Sequence, residues 1–254
     1  MIARIEHKGR CFSVDLSKPL DLSLPVRDGE GQVRAWWVDP VSMEPVRNGD
    51  TTYAVDQGAA VNFRNVRFNP HGHGTHTESV GHLSPEGHSV GGLLKHFFFT
   101  AQLVSLLPET RRAPDGKEDR VVTLEQLRNV VGERPPEALV LRTLPHRDDG
   151  GLRDWSGSNP CYLQSTACAW LRSIGVKHLL LDLPSVDREE DGGVLAAHHA
   201  FWDYPNTVDL ERTITELLHV PKELRDGDYL LELQVAHFVN DAAPSRPVLY
   251  ALLE

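Results

Sequence analysis

The sequence predicts a single α/β domain in which mixed β-sheets are packed against helices. In the segment Ala138–Thr143, every side chain before Arg142 is apolar, so both faces of a strand formed here would be apolar. This pattern is typical of a strand covered on both faces. A helical segment and a second apolar run at residues 176–183 follow it, and this order predicts a right-handed crossover between parallel strands. Since no linker, repeat or low-complexity tract interrupts the chain, we assign residues 1–254 to one domain.

The first third of the chain predicts strands separated by turns. Residues 11–16 alternate between apolar and polar side chains, as does the segment 58–68, and both predict strands. The intervening residues 25–52 are rich in turn-forming residues and predict loops and short strands. They contain Trp36 and Trp37. Either both rings are packed or one of them faces a substrate pocket, because clefts favour aromatic walls.

The middle of the chain predicts a strand, a charged loop and a capped helix. Residues 100–107 predict a strand that a proline ends, and residues 109–120 predict a charged loop. Thr123, with Gln126 three positions later, forms the capping-box pattern that marks the start of a short helix.

The remaining elements are an amphipathic helix and a long strand. Asn159 and Pro160 are a favourable helix start, and Gly175 is the expected terminator. Between them, the apolar residues at helical spacing are Leu163, Ala167, Trp170, Leu171 and Ile174. Residues 229–239 predict the long strand.

Composition argues against several classes of partner. The formal net charge of -10 and the lack of a long basic run disfavour nucleic acid and anionic membrane surfaces. No apolar stretch reaches the roughly 18–20 residues of a membrane span, and the first residues contain no signal-peptide core. The three cysteines form no Cys-x-x-Cys pair and fit a reducing compartment. We therefore expect a cytoplasmic protein that acts on a small molecule.

The segment from Asn69 to His88 carries the strongest functional signal. It contains Glu78, four glycines and five of the thirteen histidines, namely His71, His73, His76, His82 and His88. Imidazole and carboxylate groups are the usual protein ligands of zinc and similar divalent ions, and glycines let the chain turn tightly around them. We therefore predict a metal site rather than an exposed polar turn, with His88 as an ordinary surface residue.

The spacing of three of these residues brings their side chains to one side. His76 and Glu78 are two residues apart, so they point the same way in an extended segment. Glu78 and His82 are four residues apart and share a face of a helix. A strand that turns into a helix near Ser79 would therefore keep all three side chains together.

The same residues carry a family resemblance. The segment 74–82, Gly-Thr-His-Thr-Glu-Ser-Val-Gly-His, resembles the signature H-x-G-T-H-x-D-x-P-x-H of the cyclase-like metal-dependent hydrolases, which include the bacterial kynurenine formamidases. Glu78 stands where the signature has Asp, and Gly72 stands where it has its first His. His71 and His73 flank Gly72, so either is a candidate for the missing ligand.

Further blocks of the resemblance follow in the family's order. Residues 15–20 resemble the family's opening D-L-S-H-P motif. His198 stands in the place of a metal-binding histidine, with His199 as the alternative, and Glu216 stands in the place of a metal-binding glutamate. Glu216 also lies in an apolar run, where a buried carboxylate needs a partner such as a metal ion.

Residues 182–187 resemble a D-x-x-S-x-D element of the same family. Metal-bound imidazoles usually donate their other N–H to an acceptor, and Asp182 is the candidate for orienting a ligand histidine in this way. We interpret Asp187 as part of a polar turn.

The resemblance implies a metal-dependent hydrolase of a small-molecule amide, with a formamide-like bond and an arylformamidase-like activity. One or two divalent ions per chain are expected, zinc first and manganese as the alternative. The candidate ligands are His71, His76, Glu78, His198 and Glu216. Such an ion lowers the pKa of bound water from about 15.7 toward about 7, which yields a hydroxide for attack on the carbonyl. His82 is the candidate general acid/base, because imidazole titrates near neutral pH.

The resemblance also implies a swivelling β/β/α fold and a homodimer or homotetramer, in which a neighbouring subunit can close the pocket. A lactone or cyclic-imide hydrolase or cyclase of the same fold would use the same metal chemistry. A catalytically inactive metal-binding member would account for the missing first His. A purely structural zinc site is disfavoured, because such sites are closed by four ligands and no Cys ligand is evident here.

Overall fold

The computed structural model describes residues 1–113, 115–132, 135–146 and 149–253. Its strands are β1 (Ile2–His7), β2 (Arg10–Asp15), β3 (Leu20–Asp21), β4 (Ser42–Pro45), β5 (Arg47–Asn48), β6 (Thr51–Thr52), β7 (Arg64–Arg67), β8 (His76–Glu78), β9 (Phe98–Leu106), β10 (Glu109–Arg112), β11 (Glu118–Val122), β12 (Ala138–Thr143), β13 (Tyr162–Leu163), β14 (His178–Leu181), β15 (Thr213–Glu216), β16 (Gly227–Glu232), β17 (Ala242–Pro244) and β18 (Val248–Leu253). Its α-helices are α1 (Val90–Leu93), α2 (Leu124–Val130), α3 (Ser165–Ser173) and α4 (Ala196–Trp202), and 3-10 helices span Val55–Gln57 and Val80–His82. No helix in these described ranges is long and apolar enough to cross a membrane.

Eleven strands of the described residues form one mixed sheet. Its order is β1-β2-β18-β16-β9-β12-β14-β15-β8-β17, and β3 pairs with β18. The central strands β9, β12, β14 and β15 run parallel to one another, whereas β16 and β8 run antiparallel on either side of them. Smaller sheets join β10, β11 and β13, β4 and β7, and β5 and β6. The predicted α/β class with mixed sheets and packed helices is confirmed.

The central strands are buried on both faces, as the apolar run of β12 predicts. One face lies against helices α3 and α4, in a core that includes Leu139, Leu141, Leu179, Leu181, Leu171 and Phe201. The opposite face contributes to a second core that includes Leu103, Val140, Leu180, Leu231 and Leu249. Each fully buried side chain of this size contributes roughly 1.5–3 kcal/mol. These two cores therefore fix the strand ends that carry the functional side chains.

The local helix and crossover predictions are confirmed in part. Thr123 caps α2, and both hydrogen bonds of the capping box with Gln126 are present. Strands β12 and β14 pair in parallel on either side of α3 in the sequence, as expected for a crossover. The predicted start of α3 is wrong, because the helix begins at Ser165 and the preceding residues form β13, which pairs with β11.

Three strand and loop predictions also need correction. The charged segment expected to be a loop instead contributes the antiparallel strands β10 and β11. The predicted strand 58–68 is reduced to β7, whose residues are all exposed, so the alternation there has no core to face. The predicted strand 229–239 begins at Gly227 and ends at Glu232.

Candidate metal centre

Histidine and carboxylate side chains converge around β8, a short strand whose residues are all buried. It lies between β15 and β17 and is antiparallel to both. His76 and Glu78 point to the same side of the sheet because they are two residues apart. The pairing register sets Glu216 directly opposite His76. Ser79 then begins the turn into the 3-10 helix Val80–His82, so the predicted change from strand to helix occurs where the spacing requires it.

We call His76, Glu78, His198 and Glu216 the inner cluster. His76 Nε2 lies 3.4 Å from Glu216 Oε2, and His198 Nε2 lies 3.0 Å from Glu78 Oε1. His198 Nε2 also lies 3.9 Å from Glu216 Oε1. None of the four side chains is more than 4% exposed, so solvent does not satisfy their charges.

Asp187 fixes the orientation of His198. Its carboxylate accepts hydrogen bonds from His198 Nδ1 at 2.6 Å and from the backbone N–H groups of Ala197 and His198 at 2.7 and 3.0 Å. Because Nδ1 donates to Asp187, Nε2 is the ring nitrogen that faces Glu78. Burial opposes ionisation of Asp187, but the hydrogen bond from His198 prevails and holds the pKa of Asp187 below its ordinary value.

This arrangement corrects the sequence interpretation of residues 182–187. Asp182, the candidate for orienting a ligand histidine, accepts hydrogen bonds from the backbone N–H and the hydroxyl of Thr143. The orienting carboxylate is Asp187, which the sequence interpretation treats as part of a turn. The path of the chain between β14 and α4 decides whether Asp182 or Asp187 lies at the site. A short sequence motif does not specify that path.

We call His71, His82 and Asp241 the outer cluster. His71 lies between two carboxylates, with Nδ1 3.2 Å from Glu78 Oε2 and Nε2 2.9 Å from Asp241 Oδ2. His82 Nδ1 lies 3.2 Å from Asp241 Oδ2 and 3.7 Å from Glu78 Oε2. These side chains are 21–29% exposed. Glu78 thus joins the two clusters, with one oxygen directed to each.

Asp241 is the functional candidate that sequence reasoning misses. It precedes β17, far from the histidine-rich segment, and it belongs to none of the motif blocks. Strand β17 pairs with β8 so that Ala242 lies opposite Glu78, and this pairing carries Asp241 to the cluster. A single Asp ahead of a short strand offers no local pattern that would identify it.

The electrostatics of both clusters depend on the pairing of carboxylates with positively charged groups. Burial opposes the charge on Glu78, but the neighbouring His82 and His198 prevail and hold the pKa of Glu78 well below its ordinary value. Burial lowers the pKa values of His71 and His198, but their carboxylate partners outweigh it and raise each to about 10. The buried negative charge therefore needs positive charge beside it, supplied either by imidazolium protons or by a metal ion.

The donor set fits a divalent ion. Within the described residues, His76 Nε2 is buried and makes no hydrogen bond. Three groups of side chains offer ligand atoms that lie within 4.8 Å of one another, namely His71, His76 and Glu78, then Glu78, His82 and His198, and then His71, His82 and Asp241. Imidazole nitrogen and carboxylate oxygen suit zinc and manganese. A bound ion would replace the protons that these imidazoles otherwise need.

Comparison with known proteins identifies the family. Residues 14–188, more than half of the chain, match the family model Cyclase. The chain belongs to the cyclase family. Two similar relatives are the kynurenine formamidase of Bordetella avium (strain 197N), 28% identical over 230 residues that cover 86% of this chain and 99% of the relative, and that of Bacillus cytotoxicus, 27% identical over 230 residues that cover 85% and 98%.

Solved structures of cyclase-like hydrolases share this fold. Isatin hydrolase A from Labrenzia aggregata aligns with a TM-score of 0.65 at 14% identity, covering 92% of this chain and 93% of that chain. A structure described as a potential metal-dependent hydrolase with cyclase activity aligns with a TM-score of 0.64 at 15% identity, covering 92% and 97%. At such identities the likeness supports the fold alone.

The structure accounts for the departure from the cyclase-family signature at Gly72. A Cβ on Gly72 would lie 2.7 Å from Val38 Cγ2 and 3.1 Å from the carbonyl oxygen of Ala35, so a histidine at this position requires a local shift. The two flanking histidines, both candidates for the missing ligand, differ in direction. His71 faces Glu78, whereas His73 Nδ1 accepts a hydrogen bond from the backbone N–H of Asn69 at 2.8 Å.

Two other histidines have partners away from the cyclase-family cluster. His199, the alternative to His198, donates from Nδ1 to the carbonyl oxygen of Tyr204 at 2.9 Å and packs against that ring. The backbone carbonyl of His88 accepts a hydrogen bond from Ser79 Oγ at 2.7 Å, which secures the turn after β8.

Proposed function

We propose that this protein is a metal-dependent hydrolase that cleaves an amide C–N bond, formamide-like in character, in a small molecule. The observation that carries the proposal is the convergence of the buried inner cluster, with the partly exposed His82 beside it. The kynurenine formamidases among its relatives support both the amide substrate and hydrolysis as the reaction class. We expect the homodimer or homotetramer implied by the family resemblance, which light scattering can measure.

The inner cluster would hold the ion. His76, Glu78 and Glu216 present their polar atoms from adjacent strands, and His198 approaches from α4. His71 would add a ligand on the Glu78 side of the cluster for a second ion. A zinc or manganese ion bound there supplies polarisation of the substrate carbonyl and a lowered pKa for water.

His82 would transfer the proton. Its Nδ1 faces Asp241 and Glu78, so Nε2 is the nitrogen left to face a substrate. In the reaction a C–O bond forms to the attacking water and the C–N bond breaks. His82 Nε2 accepts the proton that water loses and returns it to the departing nitrogen. The neutral ring accepts the proton and the imidazolium so formed returns it, and such catalysis typically contributes about 10²–10⁴-fold.

A cleft that borders the segment leading to His71 offers aromatic walls for the rest of the substrate, together with the charged side chains of Asp39 and Arg67. Its lining includes Trp36, Trp37, Phe68 and Asn69. Trp36 packs partly against the main core, whereas Trp37 is 64% exposed. Asn69 Oδ1 accepts a hydrogen bond from the backbone N–H of His71 at 2.9 Å, which ties the cleft to the outer cluster. Of the two readings of the tryptophan pair, the exposed Trp37 favours the pocket wall.

The decisive experiment combines metal analysis with a substrate panel. Purified protein is assayed on N-formyl aromatic amines, a cyclic imide and a lactone, before and after chelation and after addition of zinc or manganese. We expect turnover of the formamides that disappears on chelation and returns with metal. His199→Ala is the matched control, because this histidine lies on the same helix but faces Tyr204.

Other outcomes separate the competing functions. Preferential cleavage of the lactone or the cyclic imide would show that the substrate is cyclic rather than a formamide. The assignment of the protein as a hydrolase would stand. Tight metal binding without any turnover would favour the inactive metal-binding member. Full turnover after complete metal removal would overturn the proposal.

A further inference from the structure

We propose that Asp241 is a positioning residue for this reaction, which holds the imidazole of His82 so that Nε2 faces the scissile bond. The inference rests on the proposed function, in which His82 transfers the proton. It adds a residue that lies outside the segment matched to the family and outside the signature. Asp241 would act through His82 and would touch neither the substrate nor the ion.

The backbone of Asp241 is anchored beside the end of β8. Its carbonyl oxygen accepts a hydrogen bond from the backbone N–H of Ser79 at 3.0 Å and a longer one from Ser79 Oγ at 3.3 Å. The carbonyl oxygen of the preceding Asn240 accepts from the backbone N–H of Val90 at 3.0 Å. These contacts fix the carboxylate of Asp241 relative to the turn that carries His82.

The turn itself approaches Asp241 closely. A Cβ on Gly81 would lie 3.2 Å from Asp241 Cβ and closer still to the carbonyl of His88, so this position needs a glycine for its small size. Because the turn can lie against Asp241, the neighbouring His82 reaches the carboxylate with Nδ1 at 3.2 Å.

The carboxylate selects one tautomer of His82. An ionised carboxylate only accepts hydrogen bonds, so a short contact to Nδ1 requires a proton on Nδ1. In the neutral ring the lone pair is then on Nε2, where a general base needs it. Asp241 Oδ2 also accepts from His71 Nε2 at 2.9 Å, which leaves the Nδ1 of that ring facing Glu78.

The same arrangement of a carboxylate behind an imidazole occurs next to the inner cluster, where it is buried. Asp187 accepts from His198 Nδ1 and leaves Nε2 facing the functional groups. Asp241 contacts His82 Nδ1 in the same way and leaves Nε2 free to face a substrate, but this pair lies on the partly exposed side of the site. One carboxylate therefore orients a candidate ligand and the other orients the candidate acid/base.

The test uses full-length, metal-loaded protein with the variants Asp241→Asn, Asp241→Glu and His82→Ala and the double variant Asp241→Asn/His82→Ala. Asparagine keeps the shape but can donate to Nδ1 and favour the wrong tautomer. We expect Asp241→Asn to lower kcat about 10–100-fold, the range for loss of an orienting partner. KM and metal content should stay close to wild type, and Asp241→Glu should recover part of kcat.

The double variant separates positioning from a general structural effect. If Asp241 acts through His82, adding Asp241→Asn to His82→Ala leaves kcat unchanged. A further loss of similar size in the double variant would overturn the proposal, as would a wild-type kcat in Asp241→Asn. Loss of bound metal in Asp241→Asn would make Asp241 a ligand and would overturn the positioning role as well.

A second readout needs no substrate. The ring ¹⁵N chemical shifts of His82 in zinc-loaded protein, assigned by comparison with His82→Ala, report which nitrogen carries the proton. We expect Nδ1–H in the wild type and a shift toward Nε2–H in Asp241→Asn. A wild-type Nε2–H tautomer would overturn the inference even if the hydrolase assignment stands. Lack of turnover by the wild type would refute the proposed function without deciding this tautomer.

Discussion

The inner and outer clusters use the same chemical groups in opposite environments. The inner cluster is built on β8, β15 and α4, and its side chains are at most 4% exposed. The outer cluster comes from the segments on either side of β8 and from the residue that precedes β17, and its side chains are 21–29% exposed. Groups that hold a cation benefit from a rigid, dry setting, where electrostatic attraction is strong. A group that exchanges protons with a substrate must instead remain accessible.

Glu78 links the two clusters, so its replacement tests both at once and should have the largest effect. Glu78→Gln removes the shared negative charge and should abolish stoichiometric metal binding. Its loss of kcat should exceed the roughly 10²–10⁴-fold expected for losing an acid/base residue alone. Elemental analysis and steady-state kinetics measure the two effects.

Glu86→Gln is the matched control, because Glu86 lies in the same segment but its carboxylate accepts a hydrogen bond from nearby Ser84 and belongs to neither cluster. It should keep both metal and turnover. Full metal occupancy in Glu78→Gln would remove this residue from the ligand set and separate the two clusters.

Replacement of His82 should separate the role of the outer cluster in proton transfer from the role of the inner cluster in metal binding. His82→Ala should keep metal bound, because the inner cluster is intact, while kcat falls about 10²–10⁴-fold. Metal content and kcat are measured on the same preparation. A variant that turns over at the wild-type rate would exclude His82 from proton transfer, and one that loses all metal would make it a ligand.

Asp187→Asn should weaken the inner cluster more mildly. Loss of the carboxylate behind His198 should reduce metal affinity about 10–100-fold, as is usual for partners of ligand histidines. Competition with a chelator of known affinity measures this change. Equal metal affinities of Asp187→Asn and wild type would show that the short contact to His198 does not tune the ion site.

The smallest effect is on stability. Zinc at a free concentration of about one hundred times Kd should stabilise the fold by about 2.7 kcal/mol, and a domain of this size should melt roughly 5–10 °C higher. Differential scanning fluorimetry of chelated and zinc-loaded protein measures the shift. His76→Ala should lose it and His199→Ala should keep it. An equal shift in both variants would place the stabilising ion elsewhere.

The sequence predicts the part of the site that is local. His76, Glu78 and His82 lie within one short segment, and the periodicities of strand and helix are enough to bring them together. The buried strand β12 and the capped helix α2 are predictable for the same reason. The family resemblance added His198 and Glu216, which spacing alone does not connect to the histidines.

The remainder depends on long-range pairing. Asp241 reaches the site only because β17 pairs with β8, and Asp187 faces His198 only because the loop before α4 turns inward. Residues 58–68 alternate between apolar and polar side chains but form only the short, exposed strand β7. An alternating pattern therefore does not produce a long strand where there is no core for its apolar side chains to pack against. Local periodicity therefore predicts whether a segment forms a helix or a strand, whereas packing determines which other segments that element contacts.

The position of β8 in the sheet also sets the order in which the centre can be assembled during protein synthesis. Its partners β15 and β17 are both encoded far downstream, so the ribosome must add most of the chain before either can pair. At about 5–20 residues per second this takes on the order of 10–30 s. Until then the histidines of the nascent chain have none of the downstream carboxylates beside them. An ion that needs the complete centre could therefore bind only after both strands have been made, and a chain that stops before Thr213 would lack Glu216 and Asp241.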